Sequence, residues 1–387
     1  MKFESLQTYN HIVFCFPHAN SLGIVRAIAK GGLKPIVVSI GSLDEDNGFF
    51  HSKYLNECYR FVTPSEGLDF IIKKFSDDNH KNFLYLMADF GIRICDERYE
   101  ELKEHFFFFN SGGAYRLIPY LNKDRLCELA ISCGLPVPKF EIVKRGCVPK
   151  NLNYPIFIKT NNSFANWKSD AGIAHNESEL IELCKKFESD EWIMEDYIDK
   201  KFEDSWQGIS VNGGQQVYMP YRKRYVRLRK NDYGTYMYYE TCQPPEDIVR
   251  GVQQMLREMN FSGCFEVEFL LDKNEKLHFL EINPRFSASN QGMLIGGVNM
   301  PLEWALSMLN GGIDENSIKL SDKPYYVMNE FIDFSKQVLS GNISIFKYLK
   351  DLKKSSGLYY YQRDDVSPFY NELKIKVLRK IKKLVKL

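Results

Sequence analysis

Two short apolar runs carry a Glu and a second oxygen-bearing side chain two positions on, and this spacing sets the chemistry the chain is able to do. Glu266 and Glu268 alternate with Phe265, Val267 and Phe269, and Glu281 and Asn283 flank Ile282. Side chains of a strand point to alternate faces, so each pair shares one face. A turn over 272–276 lets the two pairs lie against each other. Three carboxylates and an amide oxygen then crowd a small area, where uncompensated anions resist ionisation. A hard divalent cation such as Mg2+ relieves that repulsion, keeping some waters and taking its other ligands from phosphates. Arg285 follows directly and is able to fork onto a phosphate or carboxylate oxygen. The competing reading is a solvated acidic face. It suits Asp272 and Glu275 at the turn, whereas the apolar neighbours of Glu268, Glu281 and Asn283 favour the metal.

The elements that must position these residues read as an α/β chain, turning α+β in its later part. Apolar runs at 11–16, 35–40 and 82–87 predict strands, with helices from Ser21 to the Gly31-Gly32 stop and near 68–75. Strands separated by helices imply a parallel sheet with right-handed crossovers. The loop 20–23 lies at the carboxyl end of such a strand, where α/β sheets bind ligands, and His18 there is in reach of a substrate. A helix over 122–133 ends at Gly134, and Pro136-Val-Pro138 forces an extended exit. Strands at 142–143, 156–158 and 192–194 surround a helix over 178–187 that is capped by Asn176 or Ser178. A hairpin joins 207–211 to 216–219 over Asn212-Gly213-Gly214. A helix over 247–259 precedes the acidic hairpin. The boundaries expected are 1–118, then 119–315 in two parts split at 190, then 316–387.

The run Gly-x-x-Glu-x-Glu-Phe over 263–269, with Phe-Leu-Glu-Ile-Asn-Pro-Arg-Phe over 279–286, resembles the metal-binding segment of the ATP-grasp superfamily. The resemblance implies an N-terminal parallel α/β domain followed by an ATP-grasp fold of two α+β subdomains. It implies Mg2+, with Mn2+ as an alternative, held by Glu268, Glu281 and Asn283 against ATP, and Arg285 stabilising the phosphoryl group in transfer. Lys123 and Lys159 match the family's two nucleotide lysines, though a lysine ending an apolar strand also snorkels. The hinge 192–198 would offer Glu195 and the backbone of Asp196, Tyr197 and Ile198 to adenine. Glu203 falls where the family places a ribose acid, and an exposed loop carboxylate is the equal alternative. Within the basic run 222–230, Arg224 is the best supported phosphate ligand and Arg227 the next. The loop after Lys159 departs from the family in being poor in glycine, and Phe164 and Trp167 there suggest packing on an acceptor. By element order the likeness is greatest to the carboxylate–amine ligases that include D-aspartate ligase, and the run 359–368 resembles a C-terminal feature of that group.

This likeness implies an ATP-dependent ligase that forms an amide or peptide bond through an acyl phosphate, with small-molecule carboxylate and amine substrates such as an amino acid or a cell-envelope precursor. A phosphotransferase using the same site, or a non-catalytic nucleotide sensor, are the alternatives. No Ser-His-Asp or Cys-His pattern calls for a side-chain nucleophile, and His278 on its strand reads as structural. With 51 Lys and Arg against 50 Asp and Glu, the overall charge gives no reason to expect nucleic acid, and the basic run lacks a recognition motif. Nine cysteines without a CxxC pair fit reduced thiols in a cytoplasm rather than a disulfide framework. The apolar run 12–17 is too short for a signal segment, and no run approaches the roughly 20 apolar residues of a spanning helix. The basic amphipathic tail over 373–387 either lies on an anionic membrane, at its inner face, or packs on the body. Oligomeric state is not legible.

Overall fold

A computed structural model describes residues 2–77, 79–161, 170–229, 232–287 and 290–385. The expected loop around Phe164 and Trp167, together with Lys230, lies outside the described residues, as does the side chain of Arg229.

Five strands form a parallel sheet in the order β3-β2-β1-β4-β5: β1 (His11–Cys15), β2 (Pro35–Ile40), β3 (Glu57–Phe61), β4 (Asn82–Leu86) and β5 (Phe106–Phe107). β1, β2 and β4 are buried along their whole length, as strands covered on both faces must be. Their continuous apolar runs follow from that burial. The crossover helices are α1 (Ala19–Lys30), α2 (Pro64–Phe75), α3 (Asp89–Glu97) and the single turn α4 (Tyr99–Leu102). α1 starts two residues before the expected Ser21. His18 Nδ1 accepts from the Asn20 amide as N-cap, and Ser21 Oγ donates to the Phe16 carbonyl at 2.7 Å. Strand order reverses between β1 and β4, which opens a crevice at their carboxyl ends.

A second sheet, β6-β9-β7-β8, is antiparallel and comprises β6 (Phe140–Lys144), β7 (Ile156–Thr160), β8 (Ala171–Ala174) and β9 (Glu191–Asp196). α5 (Lys123–Ser132) leads into it, and α6 (Glu177–Lys186) starts at the N-cap Asn176, whose side chain accepts from the Glu179 amide. This sheet has a small core of its own around Ile156, Ile158, Leu180, Trp192 and Met194.

The largest sheet runs β14-β13-β10-β11-β12-β15-β16. Its strands are β10 (Lys200–Val211), β11 (Gln216–Arg229), β12 (Asp232–Thr241), β13 (Gly263–Asp272), β14 (Leu277–Asn283), β15 (Tyr325–Met328) and β16 (Gly357–Leu358). The basic run 222–229, expected to follow the hairpin, is instead the continuation of its second strand. The remaining helices are α7 (Glu246–Glu258), α8 (Asn290–Ile295), α9 (Met300–Asn310), α10 (Glu330–Asp333), α11 (Ile345–Lys354) and α12 (Ser367–Val385). Residues expected as a C-terminal extension thus supply two strands to the main sheet. They are clamped there by buried ions. Glu330 accepts from the amides of Tyr359, Tyr360 and Tyr361 at 3.0, 2.9 and 2.8 Å. Arg26 of α1 pairs with Asp365 at 2.9 Å and donates to the carbonyls of Tyr359 and Tyr360. α12 docks where Gly48 comes close: the Gly48 amide donates to Glu372 at 2.9 Å, and a Cβ there would stand 2.4 Å from the Pro368 carbonyl oxygen.

Candidate active site

The acidic hairpin is set by its turn. Asp272 Oδ1 accepts from the amides of Asn274 and Lys276, and Glu275 takes the left-handed conformation at φ 61°. The turn aligns Phe269 with Phe279, and a register shift between Glu268 and Phe269 then places Glu268 opposite Glu281 and Glu266 opposite Asn283. Val267 pairs with Ile282 on the other face, and Phe269 meets Phe279 edge-on at 5.9 Å, so the apolar half is anchored in the core. The polar half converges: Asn283 Nδ2 lies 3.3 Å from Glu268 Oε1 and 3.1 Å from Glu281 Oε1.

Two corrections follow from register. Glu266 is not a free third carboxylate. Lys223 Nζ lies 2.5 Å from its Oε1 and Ser205 donates to it at 2.8 Å, all buried. Burial raises the cost of its charge, but Lys223 and the hydroxyls of Ser287 and Ser205 outweigh that and hold its pKa below the ordinary value. Arg224, expected among the catalytic residues, faces the other way. β10 pairs Ser205 with both Glu268 and Lys223, whereas Asp204 pairs with Phe269 and Arg224. Strand alternation then puts Arg224 on the opposite face. It forks onto Asp204 at 2.6 and 2.7 Å over the Phe202 ring. Arg227 is likewise engaged, by Asp333 and Asp351. The β11 cation that faces the carboxylates is Lys223.

Among the described residues no group of three or more His, Cys, Asp and Glu side chains is gathered closely enough to hold a metal alone. The set at the hairpin is two carboxylates and an amide. Burial, followed by the charges of Glu266 and Glu281, pushes the Glu268 pKa well above its ordinary value. Glu268 and Glu281 through their carboxylates, and Asn283 through its amide oxygen, would hold a divalent cation here.

Arg285 leaves the hairpin toward the crevice of the first sheet. Its guanidinium binds Asp89, the first residue of α3, and donates to Asn283 Oδ1 at 3.2 Å. Burial opposes its charge, but Asp89, Glu281 and Glu266 raise its pKa above the ordinary value. Sequence reading passed over Asp89 because this contact spans 196 positions.

The expected nucleotide residues gather on the second sheet. Lys159 on β7 is buried and bonds Glu195 of β9 at 2.8 Å. Burial alone would depress the Lys159 pKa, yet Glu195 and its neighbours raise it, so the ammonium is retained. Lys123, the first residue of α5, feels burial most, then Glu281, Lys159 and Glu195, and its pKa falls. It therefore lies within the field of both Glu281 and the Lys159–Glu195 pair. Of the three residues whose backbone was expected to meet adenine, the Asp196 amide donates to the Lys139 carbonyl and the Tyr197 amide to that of Pro155, at 2.9 and 3.2 Å. The Ile198 amide makes no such bond among the described residues. Glu203 is ion-paired with Lys200 and contributes to the field at Glu268. His18 is spent as a cap, and His278 bonds Asp272 at 3.1 Å.

No family model matches the chain. Over 273 residues it is 27% identical to N5-carboxyaminoimidazole ribonucleotide synthase of Staphylococcus aureus (strain MRSA252), covering 67% of this chain and 70% of that protein. The crystal structure of N5-carboxyaminoimidazole synthetase from Staphylococcus aureus complexed with ADP superposes with a TM-score of 0.65 at 19% identity, over 86% of each chain. An L-amino acid ligase from Bacillus licheniformis superposes with a TM-score of 0.62 at 16% identity, over 82% of this chain and 79% of that one. The chain therefore has the ATP-grasp fold, and the proteins it is similar to are named as a ribonucleotide synthase and an L-amino acid ligase.

Proposed function

We propose that the protein is an ATP-dependent carboxylate–amine ligase whose nucleotide lies between the second sheet and the acidic hairpin. The observation that carries this reading is the convergence of Glu268, Glu281 and Asn283 at 3.1–3.3 Å beside cations drawn from three other elements, Lys123, Lys159 and Lys223. The ADP complex of the synthetase supports the nucleotide. Two carboxylates and an amide fit Mg2+, which when bound neutralises phosphate charge and takes its remaining ligands from water and phosphate.

The residues of this chain then have distinct tasks. Lys159, kept charged by Glu195, and Lys123 bind phosphate oxygens. Glu195 and the Ile198 amide meet the adenine edge. Arg285, held by Asp89 and Asn283, points its guanidinium to where the γ-phosphoryl group meets the acceptor, and stabilises charge developing in the transfer. A substrate carboxylate oxygen attacks the γ-phosphorus and ADP leaves. The amine then attacks the acyl phosphate carbon, phosphate departs, and the amine nitrogen loses a proton. Both substrates are small molecules entering at the crevice between β1 and β4. The resemblance to an L-amino acid ligase favours an amino acid as one of them, and a cell-envelope precursor remains a candidate for the other.

The test is ATP consumption screened against amino acids, amino sugars and small acids, with the product weighed by mass spectrometry. Formation of an amide with release of ADP and phosphate is expected. A stable phosphorylated product without an amide assigns a phosphotransferase, and binding without turnover by any acceptor assigns a sensor. Glu281→Gln is expected to weaken Mg-ATP binding roughly 100-fold by calorimetry, with the far-UV dichroism unchanged. Wild-type affinity in that variant overturns the assignment of the hairpin.

A further inference from the structure

Residues 330–387 differ in character from the rest of the molecule. They hold 13 of the 51 Lys and Arg but only 6 of the 50 Asp and Glu, a net of +7 against −6 for everything before them. Five of those six acids, Glu330, Asp333, Asp351, Asp365 and Glu372, are buried. They are spent on Arg227, Arg26 and backbone amides. The surface is therefore left to cations.

The same segment exposes apolar side chains in helical register. On α12, Tyr370, Leu373, Val377 and Ile381 are 41–59% exposed, and their spacing of three and four places them on one stripe. Lys374 borders it and is exposed. The docked side of α12 is a different one. It carries Phe369, stacked on Phe331 at 5.1 Å, and Glu372. α11 repeats the pattern: Phe346 is 81% and Leu349 50% exposed, beside exposed Lys347, Lys350 and Lys353, while Tyr348 packs on Phe334 at 5.4 Å. Phe331 and Phe334 belong to one short helical stretch, so the two basic helices flank a common support.

We infer that α11 and α12 form a docking surface for a membrane bearing anionic lipid. No helix among the described residues is long and apolar enough to cross a bilayer. Helices with an apolar stripe bordered by Lys and Arg lie in the interface, with the stripe among the acyl chains and the cations at the headgroups. Charge alone would suit nucleic acid equally, but a phosphate backbone gives Phe346, Leu373 and Val377 nothing to bury against. The inference is independent of which acceptor the ligase uses.

The test is sedimentation of the full chain with vesicles of phosphatidylcholine alone and of phosphatidylcholine mixed with phosphatidylglycerol. Binding is expected only to the mixed vesicles, and is expected to fade as salt rises beyond about 0.1 M. Lys374→Gln is expected to weaken partition roughly fivefold. Val377→Glu combined with Ile381→Glu, and separately Phe346→Glu, are expected to abolish it while ATP turnover and thermal midpoint stay unchanged. Absence of binding to mixed vesicles overturns the inference, as does binding that survives both apolar replacements. A duplex DNA complex without vesicle binding assigns the surface to nucleic acid. A dimer dissolved by Val377→Glu, again without vesicle binding, assigns it to a second copy; either result overturns the lipid.

Discussion

Lys223 and Glu266 are a buried ion pair one step along the strands from Glu268, and their value lies in what happens when one is removed. A lone charge left in such a place costs about 3–5 kcal/mol, whereas removing both partners is often neutral. Lys223→Met is therefore expected to lower stability by roughly that amount in urea unfolding, and Lys223→Met with Glu266→Gln to recover most of it. Equal stability of the single and double variants would show that the pair is not coupled. The activity of the two should separate from their stability. If Lys223 serves phosphate as well as Glu266, the double variant folds normally and still turns over ATP slowly.

The acidic hairpin was legible as an element because alternation and turn chemistry are local. Glu-x-Glu, the Asp272 turn and Glu-x-Asn announce the hairpin, whereas the register shift between Glu268 and Phe269 that lets Glu268 meet Glu281 leaves no mark in the pattern. The parallel sheet was legible for the same kind of reason, since its strands are apolar on both faces. The second half of the β10–β11 hairpin was not. Its register shifts between Gln207 and Ile209, and a one-residue slip exchanges the faces of Lys223 and Arg224. Sequence reading thus favoured the wrong neighbour. The tail shows a similar division: its amphipathic pattern is plain in the sequence, but which side docks depends on Gly48, more than 300 positions away. Gly48→Ala forces a Cβ to within 2.4 Å of the Pro368 carbonyl oxygen and 2.9 Å of Glu372 Cβ. It is expected to cost about 1–3 kcal/mol and to speed hydrogen exchange over residues 367–376 before other regions. Unchanged protection there would mean that α12 is held elsewhere.

Acid stability is a property of the whole molecule, and a buried base in the first sheet contributes to it. His11 on β1 bonds the Tyr85 hydroxyl at 2.8 Å and the Leu6 carbonyl at 3.0 Å, and burial lowers its pKa from 6.5 to about 4. The unfolded chain takes up a proton near 6.5, which the folded one refuses until about 4. The contribution of His11 is thus fully present above the unfolded value and is lost as pH falls through this window. The loss is roughly 2 kcal/mol by about pH 5. His11→Gln is expected to flatten the decline in the urea midpoint between neutrality and about pH 5, and an identical slope in both proteins would remove His11 as its cause.

One consequence of the buried acids near the C-terminal end reaches beyond contact. A molecule of net charge +1 would ordinarily drift toward any polyanion without preference. Here the near-zero total conceals a permanent dipole, so torque acts on the protein before any side chain touches. Within about a Debye length, roughly 10 Å at about 0.1 M salt, it turns its positive pole forward, and successful encounters become more frequent for that one orientation than for all others.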